Sequence, residues 1–514
     1  MTAPFRLAPG VSFTHDSNGG TIKLSYPQRM IKLSQAGTKA LHALCDQESA
    51  GKAEMAPLAA FAEDLENQGI LARNFPPLAE DDLPSVSIVI PTYRRSELLT
   101  HCLDSIRELD YPLERLEVVV VDDGSPQAVE LGAKFRGVKV VRLPQNSGPG
   151  VARNAAVRLA QGEIIAFLDD DCRAARGWLR ALVPCFRFPD VGVAGGRVAS
   201  DDLTYSLQKY EQVQSPLNMG DQQRKVRNGS SLSYLATCNL LVRKETLLSV
   251  GGFDPALRVG EDVDLCRRIL ESKKNIYYIP EGLIFHHHRF HLAPFLFRRF
   301  AYGRSEVELQ ARFPRDKRRL LYYPGNGVVT MAALATFIMS GSLRGPMVGT
   351  ITGISAALVL TIFNLFWQTA RRQRSINLPE IGYRTVLLAQ AKSQKTALYL
   401  FGRHYSRYYS LTVTILALLI HPALAGLSLA IHVWPAVVDY RLKQPDLGWT
   451  SFISFYSAEN LFYQAGVLMG CLLRRNWRPL AMDIVRATPE IYWENRGTRF
   501  DARCSSECIP SLPR

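Results

Sequence analysis

The sequence predicts an α/β domain of mainly parallel strands over roughly residues 85–310. A small α+β module precedes it (1–75), and a helical membrane-associated region follows (320–485), ending in a polar tail (486–514). Three observations predict this order. From Ser85 apolar runs alternate with amphipathic segments, acidic clusters follow two of those runs directly, and the 21 residues from Met347 to Trp367 carry no charge. A chain of 514 residues is also too long for one ordinary core and suits about three units at ~150 residues each.

In the first module, alternating segments at Thr21 to Ser25 and Met30 to Lys32 precede a helix expected from Thr38 to Cys45. Leu41, Leu44 and Cys45 give it helical spacing behind a Ser34 start signal. Asn74 to Pro84, rich in Pro and acidic residues, reads as a linker at a domain boundary. The runs Val86 to Ile90, Leu116 to Val121, Val138 to Leu143, Glu163 to Leu168 and Val191 to Val198 are bounded by Gly, Pro and Asp, as buried parallel strands are. In such sheets ligands gather at the carboxyl ends of the strands.

Two acidic clusters stand at those ends, Asp122-Asp123-Gly-Ser125 and Asp169-Asp170-Asp171. Carboxylates placed together repel unless a cation or a hydrogen-bonding ligand joins them. Mg2+ or Mn2+ takes a few carboxylate oxygens and completes its shell with phosphate, so Asp169 and Asp171 suit a metal held against a diphosphate. A solvated acidic turn is the plain alternative. Between the clusters, Gln145-Asn-Ser-Gly-Pro-Gly150 opens a helix with Arg153; Gly148 and Gly150 allow close backbone approach, and the helix start and Arg153 offer positive potential. Downstream, Gly260-Glu261-Asp262 begins a helix whose Val263, Leu265, Ile269 and Leu270 face inward, which presents carboxylates at a helix terminus. Asp262 fits a general base, with Glu261 beside it; simple helix capping fits the same residues.

The strings SVSIVIPTYRR, EVVVVDDGS, QNSGPGVARNAA, AFLDDD, GGFDPAL and GEDVDLCRRI, in this order, resemble family 2 glycosyltransferases of the GT-A fold, a nucleotide-sugar-binding, Rossmann-like α/β architecture. The resemblance covers about Ser85 to Ser305. It implies that Pro91, Thr92, Tyr93 and Asp123 line the base and ribose pocket, with Asp122, Gly148, Arg153, Asp169 and Asp170 as further donor contacts. It also implies that Asp169 and Asp171 bind a divalent metal (Mg2+ or Mn2+), and that Asp262, with Glu261, activates the acceptor. A base on the acceptor side and a metal on the leaving diphosphate give single displacement with inversion. The Gln-x-x-Arg-Trp signature of processive synthases is missing; Arg298-Arg299-Phe300 and Tyr302-Gly-Arg304 stand near its place, which argues against a long polymer. Of His286, His287, His288 and His291, His288 is the candidate metal or phosphate contact.

The strings FRLAPGVSF, KLSQAG, RRFAYGRSE, RHYSRYYSL and FYQAGVLMGC resemble the glycosyltransferases of mycofactocin systems. That implies transfer of glucose from a UDP-sugar to a peptide-derived redox cofactor precursor, forming a short β-linked chain. The first module is similar to peptide-binding domains of peptide-modification systems and is expected to dock the acceptor or a peptide carrier protein.

The net charge of +14, from 61 Lys+Arg against 47 Asp+Glu, fits nucleic acid, a phosphate-rich substrate or an anionic membrane. The basic clusters Arg315 to Arg319 and Arg371 to Arg374 flank an apolar stretch, which favours membrane lipid over nucleic acid. Met347 to Trp367 reaches the ~20 residues a bilayer core needs, Val328 to Met339 is short for it, and His421-Pro422 breaks Leu411 to Val438. Basic flanks on both sides keep the α/β domain at the cytoplasmic membrane, facing the cytoplasm; a buried soluble helical pair is the competing reading. Nine scattered cysteines without CxxC pairs, and no apolar segment near Met1, point to reduced thiols.

Two other classes fit less well. A nucleotidyltransferase would carry a Gly-rich basic loop after the first strand, where Pro91-Thr-Tyr-Arg-Arg95 stands, and a non-catalytic adaptor would have lost some of Asp123, Asp169, Asp171 and Asp262. Among glycosyltransferases, a lipid-linked or cell-envelope acceptor remains the alternative.

Overall fold

The computed structural model describes residues 4–17, 19–24, 29–46, 55–230, 232–313, 318–322, 336, 339–340, 345–375 and 382–486. Contacts divide them into two compact units. One joins the chain up to Val11 with Gly37–Leu292, and the other joins Ser12–Ala36 with the chain from Ala293 on. The elements before residue 75 are β1 (Phe5–Leu7), β2 (Val11–Asp16), β3 (Gly19–Leu24), β4 (Arg29–Leu33), α1 (Gln35–Cys45), α2 (Met55–Asn67) and β5 (Leu71–Arg73). They therefore do not group as one body: the sheet β2-β3-β4 goes with the second unit, while β1 pairs antiparallel with β5 in the first. A three-stranded sheet with one apolar face, here Ile22, Leu24 and Ile31, needs a neighbour to cover that face.

In the first unit, α2 and β5 dock by charge. Tyr277 donates to Glu66 at 2.8 Å, Lys225 lies 3.4 Å from the same carboxylate, and Arg73 pairs with Asp190 at 2.7 Å. The stretch from Asn74 to Pro84 is no free linker. Phe75 packs edge-on against Tyr277 and Phe188 at 5.0 and 5.6 Å, and Leu83 is buried. Its few apolar side chains outweigh its Pro and acidic content.

The central sheet and its helices follow: β6 (Val86–Thr92), α3 (Ser96–Arg107), β7 (Leu116–Asp122), β8 (Lys139–Arg142), α4 (Pro149–Leu159), β9 (Ile164–Leu168), β10 (Cys172–Ala174), α5 (Trp178–Leu182), β11 (Val191–Ser200), α6 (Ser206–Gln214), β12 (Arg224–Lys225), β13 (Asn239–Arg243), α7 (Lys244–Ser249), α8 (Glu261–Glu271) and β14 (Asn275–His286). The sheet order is β10-β14-β11-β13-β9-β6-β7-β8, with β12 on β14. Strands β8, β7, β6 and β9 run parallel, β13 enters antiparallel between β9 and β11, and β14 is parallel to β11.

Each of the five apolar runs is thus a strand. The antiparallel β13 and long β14 were not legible, because β13 has only Leu240 to Val242 as an apolar run and β14 contains Pro280 and half-buried positions. Helices cover both faces. Leu99, Leu103, Trp178 and Leu182 pack on one side, and Ala152, Ala156, Leu265 and Ile269 on the other. Strands β11 and β14 approach so closely that a Cβ at Gly196 would lie 1.7 Å from the Gly282 oxygen.

The second unit continues with α9 (Leu292–Arg312), β15 (Arg318–Tyr322), α10 (Pro346–Ser375), α11 (Tyr383–Tyr408), α12 (Ser410–Ile420), α13 (Pro422–Lys443), α14 (Trp449–Arg474) and β16 (Met482–Arg486), with β15 and β16 parallel. Helices α9 and α14 meet at glycines; a Cβ at Gly466 would lie 2.0 Å from the Phe300 oxygen. Two helical stretches, Ile351–Arg371 and Pro422–Lys443, are long and apolar enough to cross a membrane by length and composition, with mean hydropathy 1.5 and 1.3. The break at His421-Pro422 separates α12 from α13, and the His421 imidazole accepts the Ala423 N–H at 3.1 Å as a cap. Val328 to Met339 lies almost wholly outside the described residues, as does the polar tail beyond Arg486.

Candidate active site

Strands β6, β7 and β9 are parallel, so Thr92, Asp122 and Asp169-Asp170-Asp171 fall on one edge of the sheet. Within that edge the residues have different tasks. Asp122 is buried and turned inward: it accepts the Ser125 N–H at 2.9 Å and the Val129 N–H at 3.4 Å, with Arg142 3.6 Å away. Its oxygens are therefore used on the turn that shapes the pocket. Asp123 accepts the backbone N–H groups of Ser147 and Gly148 at 2.8 and 2.9 Å, which pins the Gly-rich loop against the end of β7. That turn needs Gly124, at φ 71°, because a Cβ there would meet Gln145 backbone at 2.4 Å; Gly148 is also left-handed, at φ 94°. Pro91 and Tyr93 are half-buried beside the loop, and the Arg94 guanidinium lies 5.0 Å over the Tyr93 ring.

The three aspartates after β9 divide similarly. Asp170 is buried, accepting from Thr92 Oγ1 at 2.7 Å and Arg95 Nη1 at 3.1 Å. Burial, then the neighbouring Asp171, pushes its carboxyl up to about 6. Asp171 takes Arg95 on Oδ2 at 2.6 Å, leaving Oδ1 3.5 Å from His286 Nε2. Asp169 accepts from Arg153 Nη2 at 2.7 Å. Ligand atoms of Asp171, Cys172 and His286 lie within 4.8 Å of one another. A carboxylate and an imidazole suit Mg2+ or Mn2+ only in part, imidazole favouring Mn2+. Burial pushes the Cys172 thiol up, and its soft sulfur is a poorer partner for either hard ion than the carboxylate beside it.

His288, the histidine singled out in the sequence, stands one step behind that edge, its ring 4.7 Å from the His286 ring. It is buried with Nδ1 3.6 Å from Glu211 Oε2, and His286 is the one against Asp171. Spacing alone cannot separate residues two apart in sequence. The antiparallel pairing of β10 with β14 does, because it sets Cys172 opposite His286.

On the far side stands α8, begun by Gly260 at φ 84°. The buried Arg153 spans the two regions: Nη1 holds Glu261 at 2.9 Å while Nη2 holds Asp169, and its guanidinium lies 5.5 Å over the Phe253 ring. Asp262 accepts the Val263 N–H at 2.8 Å; burial, then the adjacent Glu261, lifts its carboxyl to about 7. The Gly251-to-Asp254 loop is fixed by Asn154, whose amide donates to Phe253 O at 2.7 Å and accepts from Phe253 N at 2.9 Å. Arg95 and Asn154 were not singled out in the sequence, although Arg95 carried a signal as a second arginine just past a strand end; His286 was named there only within its histidine cluster.

A loop pinned by one carboxylate, an acidic strand edge and the raised carboxyl of Asp262 at a helix start are thus gathered around Arg153. Residues 87–250 match Glycosyl transferase family 2. This chain is a glycosyltransferase with a family 2 domain over those residues. It is 28% identical over 473 residues to the pre-mycofactocin glycosyltransferase of Mycobacterium tuberculosis strain H37Rv, an alignment covering 89% of this chain and 93% of that protein. It is 27% identical over 277 residues to the glycosyltransferase AglE of Haloferax volcanii, covering 51% of this chain and 83% of the relative. Among solved structures, the mannosyltransferase PcManGT from Pyrobaculum calidifontis, in complex with GDP-Man and Mn2+, is similar at a TM-score of 0.41 and 18% identity, covering 83% of this chain and 97% of that one. The glycosyltransferase sheet, with its parallel β8-β7-β6-β9 run, has the GT-A-like α/β arrangement.

Proposed function

We propose that this glycosyltransferase transfers a hexose, glucose by its resemblance to the mycofactocin enzymes, from a UDP-sugar to a peptide-derived redox cofactor precursor, with inversion. The observation that carries the catalytic half is Arg153, which joins Asp169 on the metal edge to Glu261 beside Asp262. Donor diphosphate and acceptor base are thereby held in one rigid frame. In this reading Asp123 and the loop it pins seat the nucleotide, Asp171 with His286, joined by Asp169 as the family resemblance implies, hold Mn2+ or Mg2+, and Asp262 takes the acceptor hydroxyl's proton. The bound cation would supply charge neutralisation on the leaving diphosphate. A carboxyl near 7 is matched to that proton transfer.

The 28% identity to the pre-mycofactocin enzyme over most of both chains supports the acceptor class. The residues before 75 are the proposed contact for the peptide-derived acceptor or its carrier protein. Two apolar helices support attachment to the cytoplasmic membrane with the site in the cytoplasm. The same helices favour a second reading, a lipid-linked or cell-envelope acceptor.

UDP release is to be measured with a panel of UDP-sugars and Mn2+, comparing wild type with Asp171→Asn and Asp262→Asn. Metal-dependent release, lost by about 100-fold or more in both variants, is the expected result. Release unaffected by either substitution would overturn the site.

A further inference from the structure

Arg94 holds a backbone conformation that its residue type avoids. Its φ is 59°, in the left-handed region that glycine and asparagine enter at lower cost. It stands just past β6, two residues before α3 begins at Ser96. A strained residue that is not glycine persists where its side chain or its hydrogen bonds are needed there. The backbone is anchored from outside β6. The Arg94 N–H donates to Ser125 Oγ at 3.0 Å, and close by the Asp123 N–H donates to the Thr92 oxygen at 2.9 Å.

Two consecutive arginines thereby go to opposite sides of β6, which lies between β7 and β9. Arg95 reaches the β9 side, with Nη1 on Asp170 at 3.1 Å and on Asp171 at 2.6 Å. Arg94 is tied instead to the turn after β7, through Ser125, and its guanidinium lies over the Tyr93 ring. At ~4.8 Å per strand, the two anchoring strands stand about 10 Å apart. Arg95 therefore belongs with the metal edge. Arg94 belongs with Tyr93 and the loop that Asp123 pins, where the nucleotide is proposed to sit.

The Arg94 side chain is exposed, and no carboxylate pairs with it among the described residues. An exposed arginine without an ion pair is ordinary on a surface. Here it keeps a backbone that asparagine or glycine would hold with less strain, so the reason for arginine lies in its side chain. A guanidinium plane stacks on flat π-systems, nucleobases included.

We propose that Arg94 is a nucleotide-binding residue whose guanidinium plane stacks on the base of the sugar donor beside Tyr93. The proposal rests on the glycosyl-transfer reading and adds a base contact to its nucleotide pocket. Neighbouring arginines then divide the donor between them, Arg94 at the base and Arg95 at the aspartates.

The test uses the full-length protein in detergent, as wild type, Arg94→Asn and Arg94→Lys. UDP and GDP are titrated by calorimetry with Mn2+ present, the matching nucleoside is read by saturation-transfer NMR, and thermal unfolding is followed without nucleotide. Arg94→Asn is expected to bind the preferred diphosphate about tenfold more weakly, roughly 1.4 kcal/mol, and to lose the nucleoside signal. It is also expected to melt at or above the wild-type temperature, because asparagine accepts the left-handed backbone. Arg94→Lys keeps the charge without the plane and is expected to weaken binding to a similar extent. Unchanged affinity in Arg94→Asn overturns the base contact and leaves the transfer reading standing. A melting temperature lowered by about 3 °C or more overturns it too, since Arg94 would then serve folding. Affinity kept in Arg94→Lys but lost in Arg94→Asn has the same consequence, because charge against the phosphates would suffice. A wild type that prefers GDP sinks the UDP assignment alone, and the same comparison made with GDP and guanosine decides the base contact. A wild type that binds neither diphosphate overturns both.

Discussion

Individual side chains here are defined by what already occupies them. Of the five aspartates at the strand ends, Asp122 and Asp170 spend their oxygens on backbone, Thr92 and Arg95, whereas Asp169 and Asp171 keep a face toward the cleft. Asp262 differs again, lifted to about 7 first by burial and then by Glu261. A base must be deprotonated to act, so kcat/KM is expected to rise with pH through about 7 and level off above it. Glu261→Gln removes the second cause, and the acidic limb should move to lower pH; a pH–rate series on both proteins checks this, and a limb that stays put refutes it. The same shift has a sign for stability. An acid whose folded value is raised binds protons more tightly when folded, so its contribution declines as pH climbs from the ordinary carboxylate range through about 7.

Among elements, β11 and β14 set the tightest constraint. They run parallel with a register shift between Gly196 and Val198, and the Gly196 Cα faces the Gly282 oxygen with no space for a methyl group. The β10–β14 pairing that brings His286 to Asp171 depends on the same strand. Gly196→Ala is therefore expected to destabilise the protein by about 1–3 kcal/mol, toward the upper end because the clash is with backbone. Thermal unfolding measures that loss. Gly251→Ala is a control with open space around the position, although its φ of 82° carries its own cost. The elements most legible in the sequence were those whose pattern is local: five apolar strand runs, α1 behind Ser34, and α8 with Leu265 and Ile269 inward. The missed strand β13 has its identity from neighbours, since Leu240, Leu241 and Val242 are buried between β9 and β11.

For the whole molecule, a net charge of +14 and two long apolar helices make opposite forecasts about salt. Attachment through basic residues alone would dissolve at high ionic strength, whereas a spanning helix holds. The full-length protein is expected in the membrane fraction, retained at about 1 M salt and released by detergent. Recovery in the soluble fraction after salt alone would favour a surface contact.

The sequence by itself determined the α/β class, the order of the central strands' carboxylates, the family 2 glycosyltransferase domain and the break at His421-Pro422, because each is written in short-range pattern or motif. Tertiary structure alone decided the rest. Which histidine meets Asp171 followed from cross-strand register, the division of labour among adjacent aspartates from which hydrogen bonds were already taken, and the grouping of Ser12–Ala36 with the chain after Ala293 from contacts remote in sequence. Register, occupancy and remote contact are properties of pairs of residues, and a single strand of letters records them only one at a time.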